Sequence, residues 1–353
     1  MFCVSVYKMY KIKQIPEDFI VKEMNNIEIN EQGKYTYFLL KKKNYTTEKA
    51  VSTVAKYLKK QRKDIGYAGA KDRNALTEQY ISIKGQIKKQ DINLKDIELK
   101  YIGSGKERIN LGNLKGNEFI ITVRNLEELN SDIKGNLQIP NYFDEQRFSE
   151  NNAEIGESIL KKDFKNAVDL ILGSGLKELG FEKDVKEHTL KKPNDFIGAI
   201  KKIPKKIRMM YVHAFQSLIF NETVAEIIKA KTNDYKKINY SKGQFIFPNN
   251  EMQNQKIPLI GFGTEFKDNK LRDISLKILE EEGIKLRDFI IRCMPELASE
   301  GDERYMFVKA EKLSIKTDDD ELNKNKKKCI VSFTLPKGSY ATIVIKKIFS
   351  DIN

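Results

Sequence analysis

The stretch DIGYAGAKDRNALTEQYISIKG, residues 64–85, carries two strand patterns joined by a polar turn, and the rest of the chain is best read outward from it. Residues 64–70 lead into Lys71-Asp72-Arg73-Asn74, and residues 79–83 alternate like a strand returning to Lys84-Gly85. Asp72 therefore sits on a loop at a strand end. Gly69 allows a tight turn, and Lys71 and Arg73 on either side favour the ionised carboxylate. An ionised carboxylate on a rigid strand end can attack an anomeric carbon, as the nucleophile of a retaining glycosidase does. Alone the pattern is weak, because most Asp residues in tight turns are turn-formers.

Just upstream, Thr46 or Thr47 caps a helix whose Ala50, Val51, Val54, Ala55 and Leu58 share one face, ending in the basic run Lys59, Lys60, Arg62, Lys63. Downstream, residues 120–123 read as a strand entered through LKGNEF, 114–119. The character then changes: residues 151–179, 209–228 and 276–282 carry helical spacing. Residues 330–335 read as a strand again, followed by a turn over 337–340. Strands at both ends with helices between predict an α+β fold in which a discontinuous domain carries an insertion.

Three further segments have a bland reading that physics favours. IPNYF and QRF, within residues 139–148, pair aromatic rings with Arg147, a set able to stack a base and hold a phosphate but more in keeping with a core cluster at a helix start. VHAFQSLIFN, 212–221, reads as a packed helix with His213 as a hydrogen-bonded packing residue. DDDELNKNKKK, 318–328, reads as a solvated hairpin tip rather than a metal site.

Composition bounds the function. The 353 residues hold 64 Lys and Arg against 50 Asp and Glu, a net charge of +14, with 40% hydrophobic residues. That is enough apolar material for two folded domains. The positive charge suits a polyanionic partner, although a Lys- and Glu-rich surface equally describes heat adaptation. No run reaches the roughly 18 to 20 apolar residues of a membrane helix, and the N-terminus lacks the order of a signal peptide, so a cytoplasmic protein without a membrane partner is expected. Cys3, Cys293 and Cys329 are scattered, and His188 and His213 are the only histidines, which leaves zinc sites and histidine-based triads without support. Gly103-Ser104-Gly105-Lys106 fails as a phosphate loop because Glu107 stands where Ser or Thr must hold magnesium. Any catalysis must rest on carboxylates, lysines or tyrosines.

Six separated segments together resemble the TruD family of pseudouridine synthases, in its archaeal type: PEDFIVKE (16–23), GAKDRNALTEQ (69–79), LGNLKGNEFIITVR (111–124), PNYFDEQRF (140–148), FQSLIFN (215–221) and LPKGSYAT (335–342). They occur in the family's order and span nearly the whole chain. The resemblance implies an isomerase that converts a uridine in tRNA, typically position 13, to pseudouridine without metal or small-molecule cofactor. It implies that Asp72 is the catalytic carboxylate, that Phe19, Asn117 and Tyr340 line the uridine pocket, and that Phe119 and Arg73 support it. It implies a mixed or antiparallel catalytic sheet over residues 1–138 and 308–353, interrupted by a mainly helical α+β insertion domain over 139–307, with tRNA between them and a monomeric protein. Asp144 and Ser149 stand where the family has glycine, so the backbone there is expected to differ, and Lys347 stands where an acidic residue is common.

The reaction fits the residue inventory, since breaking and remaking a glycosidic bond needs a carboxylate and a closed pocket but no redox centre. Two alternatives compete: a non-catalytic RNA-binding or RNA-chaperone protein on the same scaffold, and a metal-dependent nuclease using Asp318 to Asp320.

Overall fold

A computed structural model of the chain describes residues 10–30, 33–127, 134–149, 151–173 and 180–350. Cys3 and the end of the helix expected over 151–179 lie outside the described residues. Two compact units emerge, one from the residues up to Gln138 with Lys309–Ala341, the other from Ile139–Val308 with Thr342–Ser350.

The first unit opens with strands β1 (Phe19–Met24) and β2 (Tyr35–Lys43), helix α1 (Thr47–Tyr57), then β3 (Ile65–Tyr67), β4 (Leu76–Lys84), β5 (Ile92–Leu94), β6 (Ile97–Gly105) and β7 (Gly116–Leu126). Strand β8 (Gly135–Pro140) leads out of it. In the second unit, α2 (Glu145–Phe148), α3 (Asn152–Leu160), α4 (Phe164–Gly173), α5 (Phe181–Lys191), α6 (Phe196–Lys201) and the long α7 (Lys205–Lys231) are followed by β9 (Tyr235–Tyr240), β10 (Gly243–Pro248), β11 (Lys256–Leu259), α8 (Asn269–Glu281) and β12 (Asp302–Tyr305). The chain returns through β13 (Phe307–Asp319) and β14 (Lys327–Pro336) and ends in α9 (Ala341–Ile348). The return segment expected as 308–353 is shared: β14 and nearly all of β13 belong to the first unit, residues 342–350 to the second. Among the described residues no helix is long and apolar enough to cross a membrane.

The large sheet runs β5-β6-β2-β4-β1-β7-β14-β13-β8, with β3 beside β4. The β1/β4 pair is parallel, whereas β2, β6, β7 and β14 pair antiparallel with their neighbours, giving the mixed sheet that was expected. Helix α1 begins as its sequence predicts, with the Thr46 side chain accepting from Lys49 N–H, and it buries Ala50, Val51, Val54 and Ala55 against Phe38, Leu40, Ile81 and Ile83. That packing fixes the N-terminus of α1 beside the loop between β3 and β4. The second unit has its own core, in which Tyr211, Val212, Phe215 and Ile219 of α7 meet α3, α4 and the 3₁₀ turns near residue 290.

Candidate active site

The loop between β3 and β4, which carries Asp72, is built by side chains reaching into it. Gln79 Nε2 donates to Gly69 O at 3.0 Å. Thr47, at the start of α1, accepts from Lys71 N–H at 2.8 Å and donates to Gln79 Oε1 at 2.8 Å. Lys42, only 1% exposed, donates to Asp72 O at 2.7 Å and Tyr45 O at 2.6 Å. Burial pulls the Lys42 pKa down to about 8, against the opposing pull of Asp72. The expected role of Gly69 is not what shapes the turn: it has no positive φ, and an added Cβ would meet nothing closer than 4.0 Å.

The Asp72 carboxylate meets Lys13, whose Nζ donates to Oδ2 at 2.6 Å. Lys13 Nζ also lies 4.0 Å from the centroid of the Phe19 ring, so one ammonium joins the carboxylate to the aromatic face. The expected flanking cations do otherwise. Arg73 is exposed, and the Lys71 side chain turns inward, 6% exposed, to lie 3.2 Å from Glu23 Oε2 and donate to Asn117 Oδ1 at 2.7 Å. Nothing in the run MYKIKQ, residues 9–14, marks Lys13 among its neighbours; only the folded sheet brings it to Asp72.

Strand alternation gathers the other candidates. Phe19, Val21 and Glu23 share the buried face of β1, and they lie opposite Ile121, Phe119 and Asn117 of β7. Phe19 and Phe119 meet edge to face with centroids 6.3 Å apart, and Phe119 stacks on Phe333 of β14 at 5.6 Å. Both candidate rings are largely covered, Phe19 at 4% and Phe119 at 7% exposure, whereas Asn117 and Tyr340 are half-buried. Asn117 lies opposite Leu335, and a Cβ on the preceding Gly116 would come within 2.2 Å of Leu335 O, so this close strand approach needs glycine. The turn that leads to Tyr340 lies against the same strand entry, with Lys337 N–H donating to Lys115 O at 3.2 Å and Lys337 Nζ to Gly112 O at 3.1 Å. Phe19, Asp72, Asn117 and Phe119 are thus linked through Lys13, Lys71 and the β1/β7 register, whereas Arg73 is exposed.

The acidic block at 318–321 is the exposed hairpin tip its polarity predicts, except at Asp320, which is buried. Arg124, 3% exposed, donates to Asp18 at 2.8 Å, Asp320 at 2.8 Å and Glu321 at 2.9 Å. Asp18 immediately precedes Phe19, so this anchor holds the start of β1. Burial works to raise the Asp320 pKa, but the bonds from Asn125 N–H, Asn323, Leu322 N–H and Arg124 prevail and hold it at about 2. A carboxylate so engaged is a poor ligand for a catalytic metal.

In the second unit the bland readings hold. Tyr142, Phe143 and Phe148 are buried, and Asn221 of α7 accepts from Phe143 N–H at 2.9 Å and donates to Phe143 O at 2.8 Å, so FQSLIFN clamps the NYF segment. His213 is partly buried, and burial and then Arg147 lower its pKa. Asp144 is buried against Lys346 and accepts from Glu145 N–H at 2.8 Å. Ser149 adopts φ +45°, a conformation natural to glycine. Lys347 reaches Pro248 O at 3.0 Å.

Comparison with known proteins agrees with this architecture. Residues 8–178 and 176–348 match the family model for tRNA pseudouridine synthase D. The chain is 32% identical to tRNA pseudouridine synthase D of Aquifex aeolicus, with 97% of this chain and 99% of that one covered. It is 31% identical to the "Probable tRNA pseudouridine synthase D" of Methanosarcina acetivorans over 96% of this chain and 92% of the other. A crystal structure of a tRNA pseudouridine synthase D homologue from Methanosarcina mazei superposes with a TM-score of 0.71 at 30% identity, covering 95% of this chain and 92% of that one. Fold and sequence together define the class, that of the pseudouridine synthases. Within it, the chain belongs to the TruD family of tRNA pseudouridine synthases, isomerases that act on uridine in tRNA.

Proposed function

We propose that this chain isomerises one uridine of tRNA, at position 13, to pseudouridine, with Asp72 as the essential carboxylate. The first unit is the catalytic domain on this reading, the second the insertion domain, and the protein works as a cytoplasmic monomer without metal or small-molecule cofactor. The observation that carries it is the 2.6 Å pair between Lys13 and a partly exposed Asp72, with the same ammonium over Phe19.

In the reaction the N1–C1′ bond breaks, the base turns, the C5–C1′ bond forms, the C5 proton leaves to solvent and N1 takes up a proton. Whether Asp72 attacks C1′ or removes a proton from C2′, the step needs an ionised carboxylate, and the Lys13 ammonium favours that form. Extruding the uridine costs about a few kcal/mol, which stacking and polar contacts must offset. Tyr340 offers the more accessible aromatic face, Phe19 and Phe119 the apolar floor, and Asn117 a polar group for the nucleoside. Arg73, exposed beside Asp72, suits a backbone phosphate.

Transcripts carrying tritium at uridine C5 test the assignment, because the new C5 bond releases that label to water. Release by wild type and none by Asp72→Asn is expected, and equal release by both would refute the catalytic role. A carbodiimide map of tRNA with and without the protein then tests position 13, where a new stop is expected.

A further inference from the structure

Glu23 and Lys71 form a buried ion pair that the proposed chemistry does not use. The Glu23 side chain is fully buried and that of Lys71 is 6% exposed, with 3.2 Å between Oε2 and Nζ. Burial pushes the Glu23 pKa up and Lys71 pulls it back. Such a pair rarely adds stability over apolar residues of similar size, so its presence beside a site calls for another reason. The third member supplies one. Lys71 Nζ donates at 2.7 Å to the side-chain oxygen of Asn117, which is half-buried and faces the same side of the sheet as Phe19 and Phe119.

An ammonium has donors only, whereas an Asn amide has one acceptor end and one donor end. Lys71 therefore fixes which way the amide points: the oxygen is taken by the ammonium and the NH2 group is left for another partner. Among the described residues no acceptor takes that NH2. We infer that Lys71, held in place by Glu23, is a positioning residue that presents Asn117 to the target nucleoside as a hydrogen-bond donor, for an acceptor oxygen of the nucleoside. A uracil ring offers two carbonyl oxygens for this bond. The inference rests on the isomerase reading above and adds to it a residue that acts through Asn117 rather than on the reacting atoms.

The test is a double-mutant cycle on tritium release, with kcat and KM measured for wild type, Lys71→Met, Asn117→Ala and the two combined. Loss of orientation predicts a fall in kcat/KM of about 10- to 100-fold for Lys71→Met. It also predicts that the combined variant is no worse than the poorer single one, because each removes the same bond. Multiplying losses would overturn the inference, since a purely structural Lys71 would act independently of Asn117. Lys71→Met leaves Glu23 buried without its cation; if it does not fold, Glu23→Gln combined with Lys71→Met takes its place in the same cycle. Asn117→Asp gives a separate check, because it keeps the shape and the contact to Lys71 but has no NH2. It should fall as far as Asn117→Ala, and activity within about twofold of wild type would overturn the donor role. No release by wild type would instead remove the isomerase reading itself, so the two failures are told apart.

Discussion

Two buried charge clusters lie in the first unit, and they are finished differently. Around Arg124, the three carboxylates of Asp18, Asp320 and Glu321 take the guanidinium's donors. Backbone N–H groups of Ile15 and Asn125 then fill the second oxygens of Asp18 and Asp320, and Leu322 N–H shares Asp320 Oδ1 with the arginine. Around Lys71, the Glu23 carboxylate has its cation at 3.2 Å, and among the described residues the amide at the far end keeps an unclaimed donor. A network closed on itself specifies structure, because nothing in it can be exchanged without leaving a buried charge. One that ends in an unclaimed donor beside a partly exposed carboxylate is suited to recognition. The difference separates scaffold from site more sharply than charge or burial does.

The largest effect should come from the open side. Asp72→Asn is expected to lower single-turnover pseudouridine formation by about a thousandfold or more while leaving the urea midpoint close to wild type. The closed side should show the reverse pattern. Arg124→Met leaves two buried carboxylates without their cation, at a cost of about 3–5 kcal/mol in urea unfolding, yet the protein that remains folded should still turn over. If Arg124→Met lost activity without losing stability, the contrast between the clusters would fail.

A third expectation follows from pH. Asp320 is held at about 2, below the ordinary carboxylate value of 3.8, so its folded-state pKa is depressed. Its contribution is then fully present above about pH 4 and is lost as the pH falls toward about 2. Unfolding midpoints measured across that window should drop, and the part of the drop due to the Arg124 cluster should vanish in Arg124→Met. The smallest effect lies outside both clusters. Ser149 holds φ +45° without the freedom of glycine, so Ser149→Gly is expected to stabilise the second unit by about 1 kcal/mol in thermal melts.

What could be read from sequence follows from which interactions are local. The capped helix α1, the strands around residues 64–85 and the packed helix α7 rest on period and capping, which short windows contain. Motif order pointed to Asp72, Phe19, Asn117 and Phe119 as candidates. Lys13 is not legible in the sequence because its pairing spans 59 residues and its neighbourhood holds several equivalent lysines. Lys71 and Arg73 adjoin Asp72, but the loop turns Lys71 inward to Glu23 and Asn117 and leaves Arg73 exposed. The burial of Asp320 within the exposed block at 318–321 is hidden for a related reason: polarity alone predicts a solvated residue, and the arginine that pairs with it lies 196 residues earlier.

The place of β14 has a consequence for when the enzyme can work. It is the last strand of the described residues, yet it lies inside the sheet between β7 and β13, where Phe333 stacks on Phe119. The hairpin that contributes Asp320 to Arg124 is made only shortly before it. A chain still emerging from the ribosome therefore has the Asp72 loop long before it has the support on which Phe119 and Asn117 rest. Competence should appear in one step, when the residues through Tyr340 have been released and β14 has paired with β7, rather than growing with chain length.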